Sequence, residues 1–148
     1  MSAKSRLQED MKQAMRSGDK ARLGVIRMAL AAIQQREVDE RIELDDAAVL
    51  GVIEKMIKQR RESVEQFRAG GREDLATKEA AEIELLSTYL PEPLGEDELA
   101  ALIDDAIAAT GATSMKDMGR VIAQLRAQAQ GRADMAVVSA RVKARLAG

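Results

Sequence analysis

Apolar residues recur every three or four positions along most of the chain, which is the period of an amphipathic α-helix. The stretch Leu23, Ile26, Leu30 and Ile33 shows this spacing clearly. No stretch shows the strict alternation that predicts a strand. The pattern therefore predicts an all-α fold, with seven helices at about residues 5–16, 20–37, 46–69, 73–89, 96–110, 115–129 and 135–146.

Residues that start and stop helices separate these segments. Asp45 and Asp134 are expected N-caps, and Ser114 with Asp117 has the spacing of a capping box. Glycines follow the helices at Gly18, Gly70–Gly71 and Gly111. The charged stretch 38–44 is expected to be a connector between the second and third helices.

Both prolines of the chain lie in the segment 91–95, Pro-Glu-Pro-Leu-Gly. A helix does not continue easily through two prolines. This segment is therefore the expected boundary. The predicted organisation is a larger N-terminal helical subdomain at 1–90, a hinge at 91–95 and a small three-helix C-terminal subdomain at 96–148.

Composition excludes several classes of chemistry. The chain has no Cys and no His, so it can form neither disulfides nor thiolate metal sites, and it lacks the usual general base. We expect no catalytic residue, no metal and no cofactor. The first residues contain no apolar run of a signal peptide, and no stretch is long and apolar enough to span a bilayer. These observations predict a soluble cytoplasmic protein without membrane contacts.

Charge is unevenly distributed along a chain whose net charge is −2. Residues 91–110 contain six acidic residues and no Lys or Arg, whereas residues 111–148 contain seven basic and two acidic residues. The last two helices should therefore form a basic unit whose charges face solvent together. Its basic residues are Lys116, Arg120, Arg126, Arg132, Arg141, Lys143 and Arg145. From charge alone, a polyanion site and an ordinary solvated face remain alternatives.

Gly119 lies inside a predicted helix, where glycine costs about 1 kcal/mol relative to alanine. Close approach of another backbone would explain it, either a neighbouring helix or a sugar-phosphate strand. Gly131 and Arg132 join the two basic helices and could hold a phosphate or simply form a turn. Tyr89 and Phe67 are the only aromatic residues and lie outside this unit, so bound RNA would be contacted at phosphate and sugar rather than by stacking.

The third helix carries arginines at the edge of its apolar stripe. We expect Arg60 or Arg61 to pair with Glu79 or Glu82 of the fourth helix in a partly buried ion pair that fixes how the two helices dock. The alternative is that this helix binds a polyanion through Lys58, Arg60, Arg61, Arg68 and Arg72.

Several short strings resemble the GatB/YqeY domain family. They are residues 27–28 with 32–33, 54–63, 66–72, 74–76 with 78–79, 89–91, 114–119 and 131–135. The resemblance covers nearly the whole chain, which looks like a stand-alone YqeY-like protein. Family members often have further glycines where this chain has Ala123 and Ala136.

The resemblance implies a two-part helical fold whose C-terminal part is similar to the tail of the B subunit of the tRNA-dependent amidotransferase. In the family this tail is associated with gripping tRNA. For this chain, the resemblance implies tRNA contacts near Lys116, Gly119, Arg120, Gly131 and Arg132. It also implies an aminoacyl-tRNA synthetase or an amidotransferase as a partner. Charge alone adds Arg126, Arg141, Lys143 and Arg145 to these contacts.

Three functions follow as hypotheses. The first is an auxiliary tRNA-binding module. The second is the carbon–nitrogen ligase activity suggested by the family label, with glutamine as amido donor, but the chain has no Cys, no His and no phosphate-binding GxxxxGK[ST] loop for such a reaction. The third is a protein-interaction adaptor, in which the acidic segment from Glu92 to Asp105 docks a basic partner.

Overall fold

The computed structural model describes residues 2–148 and confirms the all-α prediction, with about 80% of the chain in helix. The described residues form seven α-helices and no β-strand. The helices are α1 Ala3–Ser17, α2 Lys20–Glu40, α3 Asp46–Ala69, α4 Glu73–Ser87, α5 Glu96–Thr110, α6 Met118–Ala129 and α7 Met135–Ala147. None of the described helices combines the length and apolar character needed to cross a bilayer.

The predicted caps are confirmed. The side chain of Asp45 accepts a hydrogen bond from the backbone N–H of Ala48, and that of Asp134 accepts one from Ala136. Ser114 and Asp117 form the expected capping box. These side chains satisfy backbone donors that have no partner inside the helix.

Apart from shifts of one or two residues at both ends of α1 and at the end of α7, the structure differs from the predicted helix boundaries in three places. The helix α2 continues to Glu40, because Gln35–Asp39 and Arg36–Glu40 form side-chain pairs one turn apart along its exposed side. Residues 115–117 form a 3₁₀ turn before α6 rather than its first turn. The helix α4 ends at Ser87, so the chain leaves helical geometry before Pro91.

The chain folds as two compact units, Met1–Leu90 and Pro91–Gly148. In the first unit, α1–α4 enclose a core that includes Leu7, Ile26, Ile33, Ile53 and Leu86. The helix α3 packs most extensively on α4. These aliphatic side chains are fully buried, and burial of apolar surface of this kind is the main driving force for folding.

In the second unit, α5–α7 pack around Ile103, Val121, Leu125, Val138 and Val142. The segment 91–95 belongs to this unit. The backbone N–H of Leu94 donates to the carbonyl of Arg132 at 2.8 Å, and Nε of Arg132 donates to the carbonyl of Glu92 at 2.8 Å. The part of the chain predicted as a hinge is thus tied to the turn between α6 and α7.

Candidate nucleic-acid interface

Three of the predicted RNA-contacting residues lie together on the solvent-facing side of the 3₁₀ turn and the first turn of α6. Lys116, Gly119 and Arg120 are all exposed. The opposite side of α6 is buried against the core of the second unit. We call these three residues the open face, because nothing within their own unit covers them.

Gly119 is not required by packing within its own unit. A Cβ added at this position would meet no atom within 4 Å. Its backbone lies within a regular helix and not in the left-handed region that favours glycine. Alanine would stabilise this helix by about 1 kcal/mol more than glycine. Neither packing of a neighbouring helix in the unit nor backbone conformation therefore accounts for glycine here.

Asp117 organises this face. Its carboxylate accepts hydrogen bonds from the backbone N–H groups of Thr113 at 2.9 Å and Ser114 at 3.3 Å, and it pairs with Nη2 of Arg120 at 2.6 Å. The Thr113 hydrogen bond and then the Arg120 guanidinium lower the pKa of Asp117. The Arg120 side chain remains 62% exposed. It is held at one nitrogen and presents its remaining N–H donors to solvent.

Arg141 and Arg145 also lie at the surface, but each is paired with a carboxylate of α5 and does not present an unpaired positive charge to solvent. Nη1 of Arg141 lies 2.9 Å from Oε2 of Glu96, and Arg145 pairs with Asp104. Because α5, α6 and α7 pack around one core, the acidic segment 91–110 and the basic segment 111–148 form one unit. That unit, 91–148, has seven basic and eight acidic residues, a formal net charge of −1.

Arg132 and Gly131 shape the turn between α6 and α7. Besides its bond to the Glu92 carbonyl, Arg132 places Nη2 3.5 Å from Oε2 of Glu98. Gly131 is buried and has a φ of 82°, which side chains rarely adopt. Both residues therefore have structural reasons to be where they are. Of the remaining predicted contacts, Arg126 is half-buried near the end of α6 and Lys143 is exposed on α7.

The ion pair predicted between the third and fourth helices is confirmed in the first unit. Nε of Arg60 lies 2.9 Å from Oε2 of Glu82 and 4.0 Å from Oε2 of Glu79. Its other nitrogens approach the carbonyl of Met56 and the sulfur of Met28, two partners that the charge pattern did not indicate. This burial argues against a role for Arg60 in the alternative, the binding of a polyanion. Of the other four members of that set, Arg68 pairs with Glu73 and Arg72 with Asp74 at the exposed surface.

The chemistry that this set of residues can perform is binding by charge and hydrogen bonds. Ammonium and guanidinium groups on the open face suit phosphate oxygens, and the bare backbone at Gly119 lets a partner strand come close. Among residues 2–148 no group of three or more acidic side chains is arranged to hold a metal ion.

Comparison with known proteins gives consistent matches. The sequence profile of the family described as Yqey-like protein matches residues 4–146. Three similar curated proteins are each named Altered inheritance of mitochondria protein 41, mitochondrial. The one from Pyrenophora tritici-repentis is 34% identical over 93% of this chain and 77% of its own length. Those from Eremothecium gossypii and Vanderwaltozyma polyspora are 38% and 32% identical, over 69% and 76% of this chain. These two matches cover only 57% and 64% of the relatives' own lengths.

These names overturn the predicted cytoplasmic location. The similar proteins are named as mitochondrial, which points to mitochondria rather than the cytoplasm. The prediction rested on the absence of cysteine and of apolar runs. The absence of these features is compatible with more than one compartment and does not identify the cytoplasm. The profile match and the identities together show that this chain belongs to the YqeY-like family.

Proposed function

We propose that this chain is an auxiliary tRNA-binding module that holds RNA phosphate and sugar on the open face formed by Lys116, Gly119 and Arg120. The observation that carries the proposal is Gly119, which nothing in the second unit packs against and which lies between two exposed cations. A sugar-phosphate strand fits both features, since it carries negative charge and approaches the helix backbone closely.

The charge of the molecule favours an auxiliary role over independent high-affinity binding. A protein that binds nucleic acid tightly by itself is usually basic, whereas this chain has a net charge of −2. A few phosphate contacts then hold the RNA weakly while another protein acts on it. From the family resemblance, we propose an aminoacyl-tRNA synthetase or a tRNA-dependent amidotransferase as that protein.

Charge removal on the open face tests the proposal. Lys116→Ala with Arg120→Ala should weaken binding to bulk tRNA about tenfold, and should reduce the slope of log affinity against log salt by roughly 1.5, because two phosphate contacts are lost. Binding is measured at several salt concentrations by fluorescence anisotropy. Both side chains are exposed, so the fold should be retained.

The matched control is Lys20→Ala with Lys78→Ala, which removes the same charge from exposed positions of the first unit. This control should reduce affinity less than about twofold, because exposed charges outside the proposed site are screened by salt. Equal losses in the two double variants, or none in either, would show that the open face does not hold tRNA.

A protein-interaction adaptor is the second candidate, favoured by the solvent-facing carboxylates of α5. Asp97 and Asp105 are exposed and make no ion pair or hydrogen bond through their carboxylates among residues 2–148. A basic protein partner could pair with them. Retention of such a partner, with no tRNA bound at low salt, would favour this function over the first.

A further inference from the structure

The helix α5 contributes a carboxylate to each of two arginines of α7. Arg141 reaches Glu96 across 45 residues of sequence, and Arg145 reaches Asp104 across 41. The two arginines lie one turn apart on α7. We call Arg141–Glu96 and Arg145–Asp104 the α5–α7 pairs. Their arginines are two of the basic residues that the charge pattern predicts as RNA contacts.

Both pairs are open to solvent. The side chains of Arg141 and Glu96 are 32% and 87% exposed, and those of Arg145 and Asp104 are 53% and 55% exposed. Exposed ion pairs contribute little to stability, because water and salt screen them. An incoming anion can therefore displace the carboxylates at small cost.

A phosphate group competes directly with these carboxylates. The guanidinium group binds carboxylate and phosphate through the same planar fork of N–H donors. Each arginine can hold one or the other through a given pair of donors. Glu96 and Asp104 each hold their arginine at Nη1. A phosphate that binds through Nη1 replaces the carboxylate, and one that binds the remaining N–H donors meets the negative charge of that carboxylate at close range.

We propose that Glu96 and Asp104 compete with RNA phosphate for Arg141 and Arg145, so that α5 limits the affinity of the second unit for tRNA. This inference rests on the proposed tRNA-binding function and adds a second, masked contact area to the open face. Its consequence is that removing acidic side chains from α5 strengthens binding by releasing specific arginines, beyond the general effect of added positive charge.

The test uses the full chain and bulk tRNA. Glu96→Gln with Asp104→Asn should bind tRNA about fivefold tighter than the unaltered chain, as expected if two exposed pairs no longer compete. The control is Asp97→Asn with Asp105→Asn. These residues are the sequence neighbours of the first two, and the control changes net charge equally without releasing an arginine. It should bind less than about twofold tighter.

A second comparison separates local competition from long-range charge. In a chain carrying Arg141→Gln and Arg145→Gln, the gain from Glu96→Gln with Asp104→Asn should fall to that of the control. Equal gains from the two acidic double variants, or a gain that persists without the arginines, would overturn the inference. Circular dichroism of each variant checks that the helices are retained.

The outcomes also separate this inference from the proposed function. If the unaltered chain binds tRNA through Lys116 and Arg120 but the two acidic variants behave alike, only the inference fails. Lys116→Ala with Arg120→Ala could have no effect while the arginine-dependent gain is present. The proposal that the open face binds tRNA would then be wrong, and competition at α7 would be supported. If no variant binds tRNA, both fail.

Discussion

Two arginines, one in each unit, form carboxylate pairs of the same length in very different surroundings. Arg60 and Glu82 lie 2.9 Å apart with side chains 9% and 20% exposed. Arg141 and Glu96 also lie 2.9 Å apart, with side chains 32% and 87% exposed. The first pair is enclosed between α3 and α4 and fixes their docking, whereas the second is a surface contact that another anion can replace. Burial, and not distance, decides which role an ion pair has.

The largest expected effect comes from breaking the buried pair. Glu82→Ala leaves the Arg60 guanidinium buried with only Glu79 at 4.0 Å as a charged partner. The free energy of unfolding should fall by about 3 kcal/mol. Urea unfolding followed by circular dichroism measures this loss. The double variant Arg60→Met with Glu82→Leu should recover most of the lost stability, since the buried guanidinium is removed as well. A loss below about 1 kcal/mol in the single variant would show that this pair contributes no more to stability than an exposed ion pair.

Tyr89 offers a second probe of the enclosed interior of the first unit. Its hydroxyl donates to Asp10, and the guanidinium carbon of Arg6 lies 5.0 Å from its ring centroid. Burial, and then the hydrogen bond to Asp10, raise the pKa of Tyr89 to about 12 from the ordinary 10.0. The folded state therefore keeps a proton that the unfolded chain loses, and this contribution to stability is present below pH 10.0 and lost as pH rises to about 12.

Since the chain has one tyrosine and no tryptophan, phenolate absorbance measures this pKa directly. The midpoint of the titration should lie near pH 12 in the folded chain and near 10.0 in urea. Asp10→Asn provides the control, because it keeps the side-chain size and removes the charge that disfavours the phenolate. A folded-state midpoint at 10.0 would contradict the buried position of this hydroxyl.

The smallest expected effect is on the exposed pair. Glu96→Gln should change the free energy of unfolding by less than about 0.5 kcal/mol, as is usual for solvent-screened ion pairs. Thermal unfolding followed by circular dichroism provides the measurement, with Asp97→Asn as the neighbouring control. A loss above about 1 kcal/mol would show that the pair holds α5 to α7, and the contrast with Arg60 would disappear.

The sequence predicted the helices well because their signals are local. The spacing of apolar residues and the caps at Asp45 and Asp134 depend only on neighbouring positions, and the structure confirms them. The end of α2 was misplaced because the charged stretch after Glu37 has the composition of a connector. In the fold, Arg36 and Glu40 pair one turn apart and extend the helix.

The sequence predicted the charges of the second unit less well because their partners lie far along the chain. Counting residues 111–148 alone gives a formal charge of +5, but α5 carboxylates lie against those helices once the unit folds. The acidic segment 91–110 without a single Lys or Arg was the signal that could have predicted this pairing. The ion pair of the first unit was easier to predict, because two helical stripes place Arg60 or Arg61 opposite Glu79 and Glu82. The structure shows that Arg60 forms the pair.

The central claim, that RNA approaches the bare helix backbone at Gly119, is tested most directly by Gly119→Ala. A methyl group there meets no atom of the protein, so the free energy of unfolding should stay equal or rise by up to about 1 kcal/mol. Affinity for bulk tRNA should nevertheless fall about fivefold, equivalent to about 1 kcal/mol. The matched control is Gly24→Ala, an exposed helical glycine in α2 with equally open surroundings, which should leave tRNA affinity unchanged. Unchanged tRNA affinity in a correctly folded Gly119→Ala chain would contradict the account.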